Sequence, residues 1–139
     1  LPVQIGQIAS SQMNVLNYLG IVVWTIGFFF EAVGDFQLAR FKATESDSDK
    51  VMDRGLWRYT RHPNYFGNAL IWWGLFLVAV TPSTLWLAVS PIAMTFLLLK
   101  VSGVALLERS LADRSQEYRD YIQRTSAFIP WPPQSDQTT

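Results

Sequence analysis

Gly55-Leu56-Trp57-Arg58-Tyr59-Thr60-Arg61-His62-Pro63-Asn64-Tyr65-Phe66-Gly67-Asn68 runs without a break into an apolar segment, Ala69 to Val80. Pro63 fits the first turn of a helix, because its missing N–H would have no intrahelical partner there and its fixed φ is already helical. A helix is therefore expected to start at His62 or Pro63. On its first turns Asn64 and Asn68 share a face, and Arg61 and Tyr65 form a neighbouring i,i+4 pair. Arginines offer forked donors for phosphate oxygens, and a helix N-terminus offers free N–H groups to an anion. The positive-inside rule, an ordinary proline start and an aromatic belt account for the same residues. Spacing alone thus leaves both an anion site and a plain membrane boundary open.

Working outward, half of the 139 residues are hydrophobic and only 16% are charged, a low share for a soluble domain. Three apolar runs cause the bias: Val15 to Phe30, Tyr65 to Val80, and Leu85 to Leu107, the last holding the single charge Lys100. A membrane helix needs about 20 apolar residues, or roughly 17 with favourable flanks. The expected fold is all-α, a polytopic transmembrane bundle with spans at about 15–41, 62–80 and 85–107, a cytoplasmic loop and an amphipathic tail helix. Residues 1–133 form one domain in this reading, and 134–139 are expected to be disordered.

The first span should not stop at Phe30, because apolar residues continue at helical spacing to about Phe41. Glu31 and Asp35 then share one face near the membrane boundary, where an acid needs a partner or a ligand. An ion pair with a loop arginine is the alternative. Ala43 to Asp53 reads as a solvated acidic loop. Thr81 to Thr84 is a short uncharged turn, which makes spans two and three a hairpin, with Pro91 kinking or starting the third. The tail carries an apolar stripe through Leu111, Tyr118, Tyr121 and Ile122, then Ala127-Phe128-Ile129-Pro130-Trp131-Pro132-Pro133, which is expected to dock.

Every lysine and arginine except Lys100 lies either at 40 to 61 or at 109 to 124. The positive-inside rule therefore puts the long loop and the tail in the cytoplasm. The candidate polar residues gather on that side, where soluble cofactors are found. With no cysteine and one histidine, disulfides, thiolate catalysis and cysteine or histidine-rich metal sites are excluded. No Gly-rich nucleotide loop is present, and no nucleic-acid partner or metal is expected. Leu1 to Ile8 reads like the end of an earlier apolar segment, so a piece of a larger membrane protein is expected.

Together with Gly55-Leu56-Trp57-Arg58-Tyr59, the Arg61-His62-Pro63-Asn64-Tyr65-Phe66-Gly67 element, Glu117-Tyr118-Arg119-Asp120-Tyr121 and Ser126-Ala127-Phe128-Ile129-Pro130 resemble the DUF1295 membrane proteins of the steroid 5-alpha-reductase family. The resemblance covers about residues 15–133. Arg-His-Pro-x-Tyr by itself is shared with isoprenylcysteine carboxyl methyltransferases. The resemblance implies a membrane reductase that uses NADPH to saturate a carbon–carbon double bond conjugated to a carbonyl in a lipid-like substrate, this chain being its cofactor-binding half. It implies cofactor contacts from Asp35, Lys42, Arg58, Arg61, His62, Asn64, Tyr65, Asn68, Arg109 and Tyr121. Asp35 matches the acid of an Asn-x-x-x-Asp element in which Glu31 replaces the asparagine, and Asn68 stands where the family has an acid. The proton donor is expected in preceding helices. Two rival readings remain: an S-adenosylmethionine-dependent methyltransferase of the isoprenylcysteine type, whose cofactor has no phosphate, and a non-enzymatic scaffold that meets only membrane lipids.

Overall fold

The computed structural model describes residues 14–45, 50–101 and 116–134. Their regular elements are helical, with one isolated bridge pairing Thr60 and Ser126. Helix α1 is Val15–Thr44, a 3-10 turn covers Gly55–Arg58, α2 is Pro63–Ala79, a second 3-10 turn covers Leu85–Ala88, α3 is Val89–Phe96 and α4 is Gln116–Arg124. The Ser46 to Asp49 loop, Arg109 and residues 135–139 lie outside the described residues.

Helices α1 and α2 pack antiparallel along a glycine seam. Gly20, Gly27 and Gly34 recur every seven residues on α1, and Gly67 and Gly74 do so on α2, so each set returns to one face every two turns. A methyl group at Gly20 would sit 2.7 Å from the Gly74 carbonyl oxygen, and one at Gly27 would sit 2.7 Å from that of Gly67. One at Gly74 would sit 2.6 Å from the Trp24 nitrogen. Backbone meets backbone, the device that lets helices associate where lipid removes any hydrophobic drive between them.

One end of the seam is pinned by asparagines. Asn14 and Asn17 form a reciprocal capping box at the start of α1. The buried Asn17 amide then donates to the Val78 carbonyl at 2.7 Å, satisfying one of the last carbonyls of α2, which have no helical donor. Beyond α2, the Thr84 hydroxyl donates to the Ala79 carbonyl at 2.9 Å and accepts from the Thr81 N–H at 2.7 Å, closing the turn. Phe76, Ala79, Val80 and Leu87 form the small core there. Trp73 Nε1 donates to Thr95 Oγ1 at 3.0 Å and ties α3 to α2.

The expected first span is one uninterrupted helix of 30 residues, three residues longer than its predicted end. Helix α2 starts at Pro63, as expected. Over its described part, Leu85–Val101, the third span runs as one helical stretch whose pitch changes from a 3-10 turn through α3 to a π turn, and positions 102–107 of the expected span lie outside the described residues. Pro91 explains the first irregularity. The Leu87 carbonyl would ordinarily receive the N–H of residue 91, which proline lacks, and it instead receives that of Val89. Among the described helices α1 alone is long and apolar enough to cross a membrane, and its exposed surface is rich in large apolar side chains, among them Leu19, Val22, Trp24, Phe28 and Phe29. Helix α2 has 17 residues, and Leu85–Lys100 is likewise apolar but short.

Candidate functional site

The Gly55 to Asn68 stretch is built onto α1 before it enters α2. Gly55 takes a left-handed φ of 62°, and a side chain there would also strike Gln37. The next N–H, of Leu56, donates to Gln37 Oε1 at 3.1 Å, and the buried Trp57 Nε1 donates to the Gly34 carbonyl at 3.1 Å. A single turn of α1, from Gly34 to Gln37, thus fixes the Arg-rich loop at a defined height on the helix.

The C-terminal strap then locks the other side. Thr60 is fully buried, donates through its hydroxyl to the Phe128 carbonyl at 2.8 Å, and accepts from the His62 N–H at 3.2 Å. The Arg61 N–H donates to the Ser126 carbonyl at 2.8 Å, and the Trp131 N–H donates to the Tyr59 carbonyl at 3.0 Å. Phe128 packs edge-to-face on Phe66, which packs in the same way on Phe30. The apolar, Pro-rich tail docks here, as its composition led us to expect.

The proposed cofactor residues separate into three groups. Asp35 and Asn64 meet: the Asn64 amide donates to Asp35 Oδ1 at 2.9 Å, while its own oxygen accepts from the Tyr65 N–H at 3.0 Å. One turn along both helices Asn68 donates to Glu31 Oε1 at 3.4 Å. The two acids of α1 therefore face the two asparagines of α2, and among the described residues neither acid has an ion-pair partner. The neutral Asn68 suits this arrangement, since an acid there would oppose Glu31.

A second group is occupied with the fold. The Arg61 guanidinium donates through Nε to the Thr125 carbonyl at 3.0 Å, and His62 is buried with its ring stacked on Tyr65 at 5.4 Å. Tyr121 is buried and donates its phenol proton to the Trp57 carbonyl, with the Thr60 carbonyl 3.4 Å away. Burial foremost, then the Asp53 carboxylate, pushes its phenol pKa well above the usual range. A neutral phenol is therefore held as a donor to the backbone.

The third group is exposed. Lys42 sits on the last turn of α1, and Arg58 lines an open cleft of about 570 Å³ with Asp53, Arg54, Gly55, Arg124, Pro133 and Gln134. Arg54, Arg124 and Asp53 were not among the expected site residues. Arg124 pairs with Asp53 at 2.6 Å across 71 positions, a link with no sequence signal. The glycine seam was not among the expectations either, although the sevenfold spacing of Gly20, Gly27 and Gly34 is a signal that could have pointed to it.

The chain matches the family described as "Protein of unknown function (DUF1295)" over residues 1–125. It is also similar to methanethiol S-methyltransferase 1 of Bradyrhizobium diazoefficiens, with 39% identity over 77 residues. That match takes in 55% of this chain and 25% of the relative, so the chain spans about a quarter of that enzyme's length. No solved structure matches. With the family match running through all of α1, α2, α3 and α4, this chain belongs to the DUF1295 family.

Proposed function

We propose that this chain carries the cofactor-binding part of a membrane-embedded methyltransferase that uses S-adenosylmethionine to methylate a small or lipid-like nucleophile, a thiol first of all. The observation that carries the reading is the double acid–amide pairing, Glu31 with Asn68 and Asp35 with Asn64. Two carboxylates one turn apart suit a cofactor that bears a sulfonium and an ammonium group, and the carboxylate oxygens left over can accept from ribose hydroxyls. Arg61, by contrast, is tied to a backbone carbonyl, which weakens the case for a phosphate cradle at this helix mouth. The similarity to an S-methyltransferase points the same way.

When bound, S-adenosylmethionine supplies an electrophilic methyl group. Asp35 and Glu31 would hold and orient the cofactor, and Asn64 and Asn68 would fix the two carboxylates. Helices α2 and α3 would complete a polytopic bundle around α1, with the loop and strap on the cytoplasmic side.

Titration calorimetry of the full-length protein in detergent tests this. S-adenosylmethionine should bind, Asn64→Ala should weaken it by roughly 5- to 150-fold, and labelled methyl should pass to methanethiol. A second reading, an NADPH-dependent reductase of a conjugated double bond in a lipid-like substrate, draws on the arginines of the open cleft. Binding of NADPH without binding of S-adenosylmethionine would overturn the first reading in favour of the second.

A further inference from the structure

We propose that the cleft between the 53–58 turn and the 124–134 strap seats the phosphate of an anionic phospholipid headgroup. Three arginines, Arg54, Arg58 and Arg124, line it, against the single carboxylate of Asp53. Asp53 is already committed to Arg124 at 2.6 Å, so the cleft's described lining keeps an excess of two positive charges on exposed arginines. Forked guanidinium donors fit phosphate oxygens better than any other side chain. Arg54 and Arg58 lie four residues apart, and between them Leu56 is bonded to Gln37 and Trp57 to the Gly34 carbonyl, so both cations are carried on an anchored backbone.

Depth on α1 argues for a lipid as the source of that phosphate. The turn is anchored to α1 at Gly34 and Gln37, about 20 residues beyond Val15, which at 1.5 Å per residue is roughly 30 Å, the thickness of a bilayer's hydrocarbon core. Just past that level the apolar surface of α1 gives way to Arg40 and Lys42. Tyr59, the residue after Arg58, and Trp131, two residues before Pro133, are exposed at 43% and 67%, and the Trp131 N–H donates to the Tyr59 carbonyl. Cations beside exposed aromatic rings at headgroup depth are the pattern of a lipid seat. The inference rests on α1 crossing the bilayer and is independent of methyl transfer.

The test uses the full-length protein, first extracted with alkaline carbonate and then purified in detergent and titrated with dioctanoyl phosphatidylglycerol. Binding should exceed that of dioctanoyl phosphatidylcholine and of inorganic phosphate by on the order of tenfold or more, and Arg58→Ala and Arg54→Ala should each cost a similar factor. Arg58→Gln, which keeps most of the side-chain stem, should behave like Arg58→Ala, and Arg40→Ala, outside the cleft, should bind as wild type does. Equal binding of the choline lipid, or unchanged binding by both cleft variants, would overturn the seat. Inorganic phosphate binding as tightly as the lipid would make the ligand a soluble phosphate. Displacement of the lipid by NADPH would assign the cleft to a nucleotide. Release of the protein from membranes by carbonate would instead remove the bilayer crossing on which the depth argument stands.

Discussion

The α1–α2 seam and the loop–strap junction hold the molecule together in opposite ways. Along the seam, glycines bring two helix backbones together with almost no side chain between them, and the polar groups involved are already satisfied within each helix. At the junction, residues 59–61 and 125–131 meet through single hydrogen bonds, each spanning more than 60 positions of sequence. The first region resists any added atom, and the second resists any lost hydrogen bond.

The largest expected effect breaks the seam. A side chain at Gly67 would collide with the Gly27 carbonyl and the Glu31 nitrogen, whereas one at Gly34 would have 3.3 Å to Asn64 and Pro63. Gly67→Ala should cost about 3 kcal/mol or more and Gly34→Ala clearly less, as read from thermal unfolding in detergent. Equal costs would mean that the helices are not held at backbone contact.

The junction should give next. Thr60→Val keeps the shape but leaves the Phe128 carbonyl and the His62 N–H without their buried partner, at a cost of about 1 to 3 kcal/mol. Hydrogen exchange should speed up in residues 126–131 and stay slow in the centre of α2. Parallel loss in both would show the two regions to be a single cooperative unit.

Tyr121 sharpens the comparison through pH. Its folded pKa lies above the ordinary phenol value of 10.0, so the stability it contributes is fully present below that pH and is lost as pH rises toward the folded value. Alkaline titration should therefore free the strap before it separates α1 from α2. Tyr121→Phe should cost about 1 kcal/mol and abolish this pH step, and a step that persisted would have to come from another group.

The smallest effect belongs to the ion pair. Arg124 and Asp53 are each about a third exposed, at 34% and 35%, so Asp53→Asn should cost under about 1 kcal/mol, and the loss should shrink further in about 1 M salt. A larger, salt-insensitive loss would make the pair a main clasp of the strap.

Much of the helical layout was legible because it follows from local chemistry. Pro63 marks the start of α2, the apolar runs mark the helices, and the uncharged Thr81 to Thr84 turn marks the hairpin. An irregularity at Pro91 was expected, but the changes of pitch along the third helix were less legible, since an apolar run does not say which carbonyls will lose their donors. Of the site, Asp35 and Asn64 were each singled out by motif but not as partners of one another, and the engagement of Arg61, His62 and Tyr121 in the fold was hidden. An arginine or tyrosine reads the same in sequence whether it points at a ligand or at a distant carbonyl.

By itself the sequence determined the helical class, the family and the residue types at the mouth of α2, because periodicity, proline placement and motif spacing act over a few turns of chain. Tertiary structure alone decided which of those residues remain available to a ligand. The Thr125 carbonyl that takes Arg61 and the Trp57 carbonyl that takes Tyr121 each lie 64 positions away. A buried backbone carbonyl must be satisfied, and the nearest side chain in space does so whatever motif it belongs to.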